Sequence, residues 1–455
     1  LELNQRFEQV MAEVRAYALL AVPLAGAQLA QAATAFVDTV MMGLLGSSIL
    51  AAGGLGASLF QALVLISSGI VAAVSPLVAT AFGAEQPATV GKVVRQGLWL
   101  ATVLALPIGL LLWWANLWLV WLGQETEVVN TALPYLRAIA WGVLPALEFA
   151  VLRNFVTALS EPRPVILIMV VGTGFNVIAN YCLMFGKLGL PALGLAGIGW
   201  ASTFSLWGMF IGLVLYVLTQ SRYRVYQVFR KLHVFELGGW RELLQIGLPI
   251  GILAAVETGM FTVTLFLMGR LGATTLAAHQ IAVQTSAITF MVTLGISLAA
   301  TVRVGQFIGQ QNPRGAKLAG LVGISSAALF MSVMGLLFWL FPERFVGLYL
   351  NLNDPANRQV IDLAKRLLRV AALFQIADGI QVCAAGALRG LKDTRIPMLV
   401  GIMAYWGVGL TNGYLLGIQF GWGGVGLWSG LALGLTMAAI VLTWRFCTTR
   451  IDQAF

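Results

Sequence analysis

Residues 43–52 read GLLGSSILAA, and residues 269–278 read GRLGATTLAA. The two stretches lie 226 positions apart. That single ungapped shift lays Pro23 on Pro249, Gly43 on Gly269, Gly46 on Gly272, and Leu50, Ala51 and Ala52 on Leu276, Ala277 and Ala278. Further along it lays Gly69 on Gly295, Gly83 on Gly309 and Pro87 on Pro313. Helix breakers and loop residues that keep one spacing over so long a stretch mark an internal repeat. A slightly larger shift of 232 continues it, with Leu136 and Arg137 on Leu368 and Arg369, Leu159 on Leu391, Arg163 on Arg395 and Asn180 on Asn412.

The repeated unit is made of membrane-length apolar runs. Of 455 residues, 59% are hydrophobic and only 10% charged, far more apolar than a soluble domain of that length. Runs of about 20 residues, enough to cross a hydrocarbon core about 30 Å thick, recur from near the start to the end. Charged or Gly/Pro-rich breaks place spans near 15–42, 49–77, 94–117, 131–157, 164–185 and 195–218, then near 243–268, 276–301, 318–341, 364–388, 396–418 and 424–445. The predicted fold is an all-α membrane protein, with twelve transmembrane helices in two pseudo-symmetric six-helix lobes, 1–219 and 241–455, joined by a cytoplasmic linker at 220–240. Six spans per repeat make the repeats parallel, related by an axis along the membrane normal. Two such lobes can rock around a central site, which favours a transporter over a receptor.

A net charge of +9 does not point to nucleic acid, because the basic residues sit in short loops between apolar spans. With the N-terminus in the cytoplasm, only Arg137, Lys187, Arg270, Arg344, Arg358, Lys365, Arg366 and Arg369 of the 27 Lys and Arg fall on the outer side. This bias obeys the positive-inside rule and predicts a plasma-membrane protein, in a bacterium the inner membrane, with both termini cytoplasmic. The mid-chain linker carries Arg222, Arg224, Arg230 and Lys231. Nothing at the N-terminus resembles a removable signal peptide. Instead Leu3, Phe7, Val10, Met11 and Val14 recur at helical spacing among Arg6, Glu8, Glu13 and Arg15, a pattern suited to a helix lying in the interface. Cys182, Cys383 and Cys447 lack the paired spacing of a metal or redox motif and read as packing residues. His233 in the linker and His279 beside an outer turn are too far apart for a zinc site; His279 reads as an interfacial hydrogen-bonding residue.

Four acids fall well inside apolar spans: Asp38, Glu148, Glu257 and Asp378. A carboxylate at the bilayer centre costs about 2.5–3.5 kcal/mol on insertion scales, so such residues face a protein interior or a wet cavity and serve ion or substrate pathways. Gln28, Gln31 and Asp38 share one helical face, as do Gln375, Asp378 and Gln381. Gln280, Gln284 and Glu148 join these glutamines as candidates for bordering a substrate cavity. Under the 226 shift Glu257 takes the place of Gln31, and Asp38 that of Thr264, so the halves hold their acids at different depths and each lobe can carry its own cation site. Asn176 and Asn180 lie one turn apart in the fifth span and must face inward to satisfy their amides. With Asp38 they offer an all-oxygen environment for a hard cation or a protonated carboxyl; helix-to-helix hydrogen bonding is the alternative. Glu148 is divided between a structural pairing, with Arg153 or Arg137, and a cavity role.

At these residues the chain resembles the multidrug and toxic-compound extrusion (MATE) family, in its bacterial NorM-like branch. The resemblance is strongest at Phe36, Val37, Asp38, Thr39, Val40 and Met41, at Ala277, Ala278, His279 and Gln280, at Val302, Arg303, Val304 and Gly305, and from Ala384 to Gly390. It implies that Glu257 and Asp378 form the coupling-cation site of the C-terminal lobe, with Na+ as one candidate ion there. It also implies that Asp38, Asn176, Asn180 and Ser202 form the polar cluster of the N-terminal lobe. Some relatives carry a tyrosine where this chain has Phe374, so a hydroxyl ligand is missing there and a ring face for cation–π contact remains. Glu148 is not part of the family pattern.

The expected function is efflux of small organic cations, drugs and dyes among them, by antiport with Na+ or H+ under alternating access. The protein is expected to be a monomer among membrane lipids, with no nucleic-acid partner and no cofactor. A sodium ion needs an ionised carboxylate and a proton neutralises one, so the same residues serve either ion. Aromatic and Met side chains such as Phe290 and Met291 are candidates for an adaptable drug surface. A lipid or glycolipid flippase is the alternative within transport, but it calls for basic residues around a phosphate where this chain buries acids. An enzyme is excluded by the absence of a nucleophile–base pair, metal cluster or phosphate-cradling loop.

Overall fold

A computed structural model describes residues 2–230, 232 and 237–449. Lys231, His233 and Arg450 lie outside the described residues, as do the side chains of Leu3, Arg6 and Phe7. Within them the regular structure is entirely helical. The first half contains α1 (Glu2–Leu44), α2 (Ser47–Val71), α3 (Val74–Gly83), α4 (Pro87–Trp113), α5 (Ala115–Trp121), α6 (Thr126–Ala140), α7 (Val143–Ala158), α8 (Arg163–Phe185) and α9 (Leu195–Thr219). A 3-10 turn at Ser221–Tyr226 follows. The second half contains α10 (Leu237–Arg270), α11 (Ala273–Gly309), α12 (Pro313–Leu340), α13 (Pro342–Val346) and α14 (Arg358–Gly390). A composite helix then runs through α15 (Arg395–Gly401) and α16 (Thr411–Tyr414), and α17 (Gly423–Thr448) ends the chain.

Eleven helices among the described residues are long and apolar enough to cross a membrane, and a twelfth span is α6 with α7, bent by 45° at Trp141 and Gly142. Every predicted span has its counterpart. The interfacial N-terminal helix is not a separate element: α1 continues without a break from Glu2 into the first span. No breaker interrupts residues 2–22, so the amphipathic stretch extends the helix that follows it.

The repeat is visible in the backbone. Gly46 and Gly272 turn between helices at φ 116° and 111°, Glu85 and Gln311 at 56° and 54°, and Ser160 and Lys392 at 63° and 62°. Positive φ at a glycine is sterically free, whereas at the four other residues the left-handed conformation is uncommon and marks a specified turn.

Packing divides the chain into two compact units, Gly26–Gly251 and Leu1–Ala25 with Ile252–Phe455. The divisions fall inside α1 and α10, two residues after the repeat-related Pro23 and Pro249, and the described residues of 220–240 fall in the first unit. An interior proline removes a helical hydrogen bond, and at these points each helix exchanges one set of packing partners for another. Close crossings accompany the exchange. A Cβ on Gly69 would stand 2.9 Å from Gly251 Cα, and one on Gly295 would stand 2.4 Å from Ala25 N, so both repeat glycines sit where backbones touch. In the second unit the start of α1 is fastened to α11: the Tyr17 hydroxyl donates to the Ile296 carbonyl, and Arg303 Nε donates to Glu13 Oε1 at 2.8 Å.

In that unit α14 is the most enclosed span. A ladder of hydroxyls ties α11 to it, with Ser297 Oγ donating to the Val382 carbonyl at 2.7 Å and Thr301 Oγ1 to the Gly386 carbonyl at 2.8 Å. The composite helix before α17 is wound as a π-helix over Ile402–Leu410 and again over Leu415–Gln419. Side chains answer for carbonyls near this wider winding, Thr411 Oγ1 donating to Trp406 O at 3.0 Å and Asn412 Nδ2 to Val408 O at 2.7 Å. Gly409, Gly413 and Gly417 face Gly426, Gly430 and Gly434 of α17, and a Cβ on Gly430 would lie 2.1 Å from Gly413 N. Two rows of glycines at i, i+4 spacing let the helices meet backbone to backbone.

Candidate functional site

In the Gly26–Gly251 unit, α1, α8 and α9 bring Asp38, Asn176, Asn180 and Ser202 together. Asn180 Nδ2 donates to Asp38 Oδ1 at 2.6 Å, and Ser202 Oγ donates to Asp38 Oδ2 at 3.1 Å. Asn180 Nδ2 also reaches Asn176 Oδ1 at 3.1 Å, while Asn176 Nδ2 donates to Ser202 Oγ at 3.2 Å. The two asparagines are fully buried. Asp38 is partly accessible although protein surrounds it. Its carboxylate is thus held by neutral donors, and the buried Asn180 Oδ1 is left without a partner. Tyr135 of α6 lies within electrostatic reach of Asp38, its ring held where Gly56 and Gly199 leave room. The sequence reading missed Tyr135, whose only linear signal is an aromatic beside Pro134 in an apolar run.

The remaining first-half candidates stand outside this cluster. Gln28 is buried, and Gln31 is exposed, with Arg153 Nη1 3.5 Å from its Oε1. Glu148 is buried on α7 and accepts from Thr102 Oγ1 of α4 at 2.7 Å. Its partner is a hydroxyl, neither Arg153 nor Arg137.

In the second unit Glu257 of α10 and Asp378 of α14 lie within electrostatic reach of one another. Asp378 is buried; Glu257 is surrounded by protein yet partly accessible. Neither span carries a neighbouring basic residue in sequence, but the fold brings Arg389 of α14 into electrostatic reach of Glu257. Phe374 is buried, its ring 5.1 Å from that of Trp428 and 6.4 Å from that of Phe261. Trp428 Nε1 donates to His279 Nδ1 at 3.1 Å. His279 is therefore a hydrogen-bonding residue, as expected, and it accepts that bond while buried in the protein.

Gln375 and Gln381 flank Asp378 along α14 and are both buried. Gln375 is engaged structurally, its Oε1 accepting from Thr289 Oγ1 at 3.1 Å. Gln381 Oε1 has no hydrogen-bond partner. Gln280 and Gln284 are exposed on α11. One further residue belongs with the acids: Tyr405, from the π-helical segment, lies within electrostatic reach of both Glu257 and Asp378. Its neighbour Trp406 fixes the placement, donating through Nε1 to the carbonyl of Val256 at 3.0 Å and packing on Gly259. Sequence alone does not reveal this, since the pitch of the helix decides which way Tyr405 points.

The MatE family profile matches the chain twice, at residues 23–182 and 249–415, once in each repeat. Over 445 residues the chain is 46% identical to the probable multidrug resistance protein NorM of Synechocystis sp., covering 98% of this chain and 96% of that one. Over 436 residues it is 44% identical to the protein of the same name from Pseudomonas aeruginosa, covering 96% and 89%. Among solved structures it is similar to a eukaryotic MATE transporter (TM-score 0.86, 20% identity, 98% of each chain covered). An outward-facing multidrug resistance MATE family transporter matches equally well, with TM-score 0.86, 19% identity and coverage of 97% and 96%. A match this long, repeated in both halves and joined to the same helical fold, places the chain: it belongs to the MATE family of membrane transporters, in its NorM-like branch.

Proposed function

We propose that this transporter exports small organic cations in exchange for an inward-moving Na+ or H+, using Asp38 with Asn176, Asn180 and Ser202 in one unit and Glu257 with Asp378 in the other. The observation that carries the reading is the environment of Asp38. A carboxylate held by an amide and a hydroxyl has no counter-charge beside it, so its negative charge is open to neutralisation by whichever cation arrives. An ion pair to arginine would have spent it. Glu257 and Asp378 add a second anionic site, where two carboxyls in a low-dielectric setting repel one another and a bound cation relieves that repulsion.

Exchange follows from competition. The drug cation and the coupling ion both seek the same carboxyls, so binding of one lowers the affinity for the other, and by linkage the effect is reciprocal. The names of the relatives support drugs as the cargo, and the acidic character of both clusters supports cationic ones. The charge bias that leaves only eight basic residues outside supports cytoplasmic termini, with drug entering from the inner side.

Purified protein in liposomes, loaded with ethidium and given a sodium gradient or, separately, a proton gradient, tests this. The parent should move dye under at least one gradient, and Asp38→Asn, Glu257→Gln and Asp378→Asn should each reduce that movement at least tenfold. Undiminished movement in all three variants refutes the acid-site reading.

A further inference from the structure

Where α9 ends and the 3-10 turn begins, the first unit holds a cavity of about 260 Å³. Val217, Leu218, Val228 and Phe229 give it apolar walls, and the exposed Arg224 and Arg230 line it too. Drug-sized ligands occupy pockets of about 300–1,000 Å³, so this volume suits a small headgroup better than a whole drug. Neither arginine belongs to the acid clusters, and the exchange reading makes no use of them.

The arginines of this turn differ in what holds them. Arg222 is spent on Glu161 and on the Tyr216 hydroxyl. Among the described residues no carboxylate pairs with Arg224 or Arg230. Two uncompensated guanidinium groups therefore line one small cavity, and their planar forks match phosphate oxygens. The cavity is also preformed. Gln227 turns the chain in the left-handed region at φ 46°, which brings residues on both sides of it to the same cavity. Its carbonyl accepts from Arg95 Nη1 of α4 at 3.2 Å, and the Tyr223 hydroxyl donates to Glu161 Oε2 at 2.8 Å. Phe155 of α7 packs on the rings of Tyr223 and Tyr226 at 5.7 and 5.6 Å. A Cβ on Gly91 would stand 1.9 Å from the Tyr226 carbonyl oxygen, so the backbone of the turn lies directly on α4.

An apolar line leads to the cavity along α9, a helix long and apolar enough to cross a membrane. Phe204, Gly208, Ile211, Leu215 and Leu218 recur at three- and four-residue spacing and are all exposed. Leu218 belongs both to this line and to the cavity wall. An acyl chain laid on the line thus brings a phosphate to the arginines, whereas a free phosphate leaves the apolar walls uncovered.

We propose that this cavity binds an anionic phospholipid of the leaflet facing the 220–240 segment, with its phosphate between Arg224 and Arg230 and an acyl chain along the exposed line of α9. Basic pockets at the ends of membrane helices take such headgroups, each nearby Lys or Arg contributing about 1 kcal/mol. A lipid seated there ties the turn after the first repeat to the membrane surface.

The purified full chain in detergent, titrated with phosphatidylglycerol, phosphatidylcholine or inorganic phosphate, reports binding through its melting temperature. Phosphatidylglycerol should stabilise the parent, and the other two should not. The double variant Arg224→Gln with Arg230→Gln should weaken the apparent phosphatidylglycerol affinity about tenfold while melting like the parent in phosphatidylcholine. Arg163→Gln with Arg395→Gln removes equal charge from exposed positions elsewhere and should leave that affinity unchanged. A photoactivatable phosphatidylglycerol, mapped by mass spectrometry on the parent, should label residues 215–230 and needs no variant to fold. Equal stabilisation by phosphatidylcholine, a parent-like affinity in the Arg224/Arg230 variant, an equal loss in the control pair, or labelling spread over all spans each overturns the site. Stabilisation by inorganic phosphate that matches phosphatidylglycerol overturns the lipid and leaves a free-anion site.

Discussion

Asn180 holds Oδ1 of Asp38 at 2.6 Å with the same amide nitrogen that reaches Asn176 one turn earlier. A donor shared between a carboxylate and a neutral amide favours the charged acceptor, and hydrogen bonds to charged groups are worth about 1.5–3 kcal/mol against about 0.5–1.5 for neutral ones. Asn180→Ala should therefore lower the melting temperature of detergent-solubilised protein more than Ser202→Ala does, since the Ser202 bond is longer at 3.1 Å. In an Asp38→Asn background the cost of Asn180→Ala should shrink by about 1 kcal/mol or more, as coupled neighbours do in a double-mutant cycle. Additive effects would show that Asp38 and Asn180 do not act together.

Much of this is legible in the sequence. Apolar runs set the spans, because bilayer thickness fixes their length. The Asp38 cluster was legible because amides and acids inside lipid must find each other. What escaped was decided by tertiary packing. Arg389 comes within electrostatic reach of Glu257 from another helix, which no spacing within either reveals. Tyr405 depends on winding: in an α-helix each residue turns about 100°, and a π-helical segment changes that angle and with it the face Tyr405 occupies. The exchange of packing partners inside α1 and α10 had its sign in Pro23 and Pro249, but a proline in an apolar run reads equally as a simple kink.

Gly430 and Gly413 test the glycine seam between the π-helical span and α17. A methyl at Gly430 would sit 2.1 Å from Gly413 N, where backbone cannot yield, whereas a Cβ at Gly407 meets nothing within 4 Å. Overpacking of a close interface costs about 1–3 kcal/mol. Gly430→Ala should lower the melting temperature and Gly407→Ala should not. Equal stability of the two variants would mean that the seam can open without cost.

Glu148 offers a test of the proposed division between structural and transporting acids. Its carboxyl accepts from Thr102, an interaction that an amide oxygen reproduces. Glu148→Gln is expected to export ethidium within about twofold of the parent, under conditions where Asp38→Asn is at least tenfold impaired. Glu148→Ala leaves the Thr102 hydroxyl without that acceptor and a gap at the α4–α7 contact, so it should cost about 2 kcal/mol or more in stability. Loss of coupled transport in Glu148→Gln with an unchanged melting temperature would instead make Glu148 a third transporting acid.

Glu13 and Arg303 bind the start of α1 to α11 through two hydrogen bonds, from Nε and Nη2 of the guanidinium to the two carboxylate oxygens. The Glu13 side chain is 6% exposed and that of Arg303 20%, so the pair is shielded on one side only. Breaking a fully buried pair by removing one partner costs about 3–5 kcal/mol; with Arg303 able to reach water, about 1–3 kcal/mol is expected here. Glu13→Ala leaves a half-shielded guanidinium stacked on Phe307 without its counter-charge, whereas removing both partners leaves no charge stranded. The double variant Glu13→Ala with Arg303→Ala should accordingly be less destabilised than the sum of the single variants. The pair lies in the part of α1 that precedes Pro23, so its loss should also raise the proteolytic susceptibility of residues 8–22 relative to the rest of the helix. Limited proteolysis of the single variants, followed by mass mapping of the first cleavage sites, checks that outcome, and cuts spread evenly through α1 would count against it.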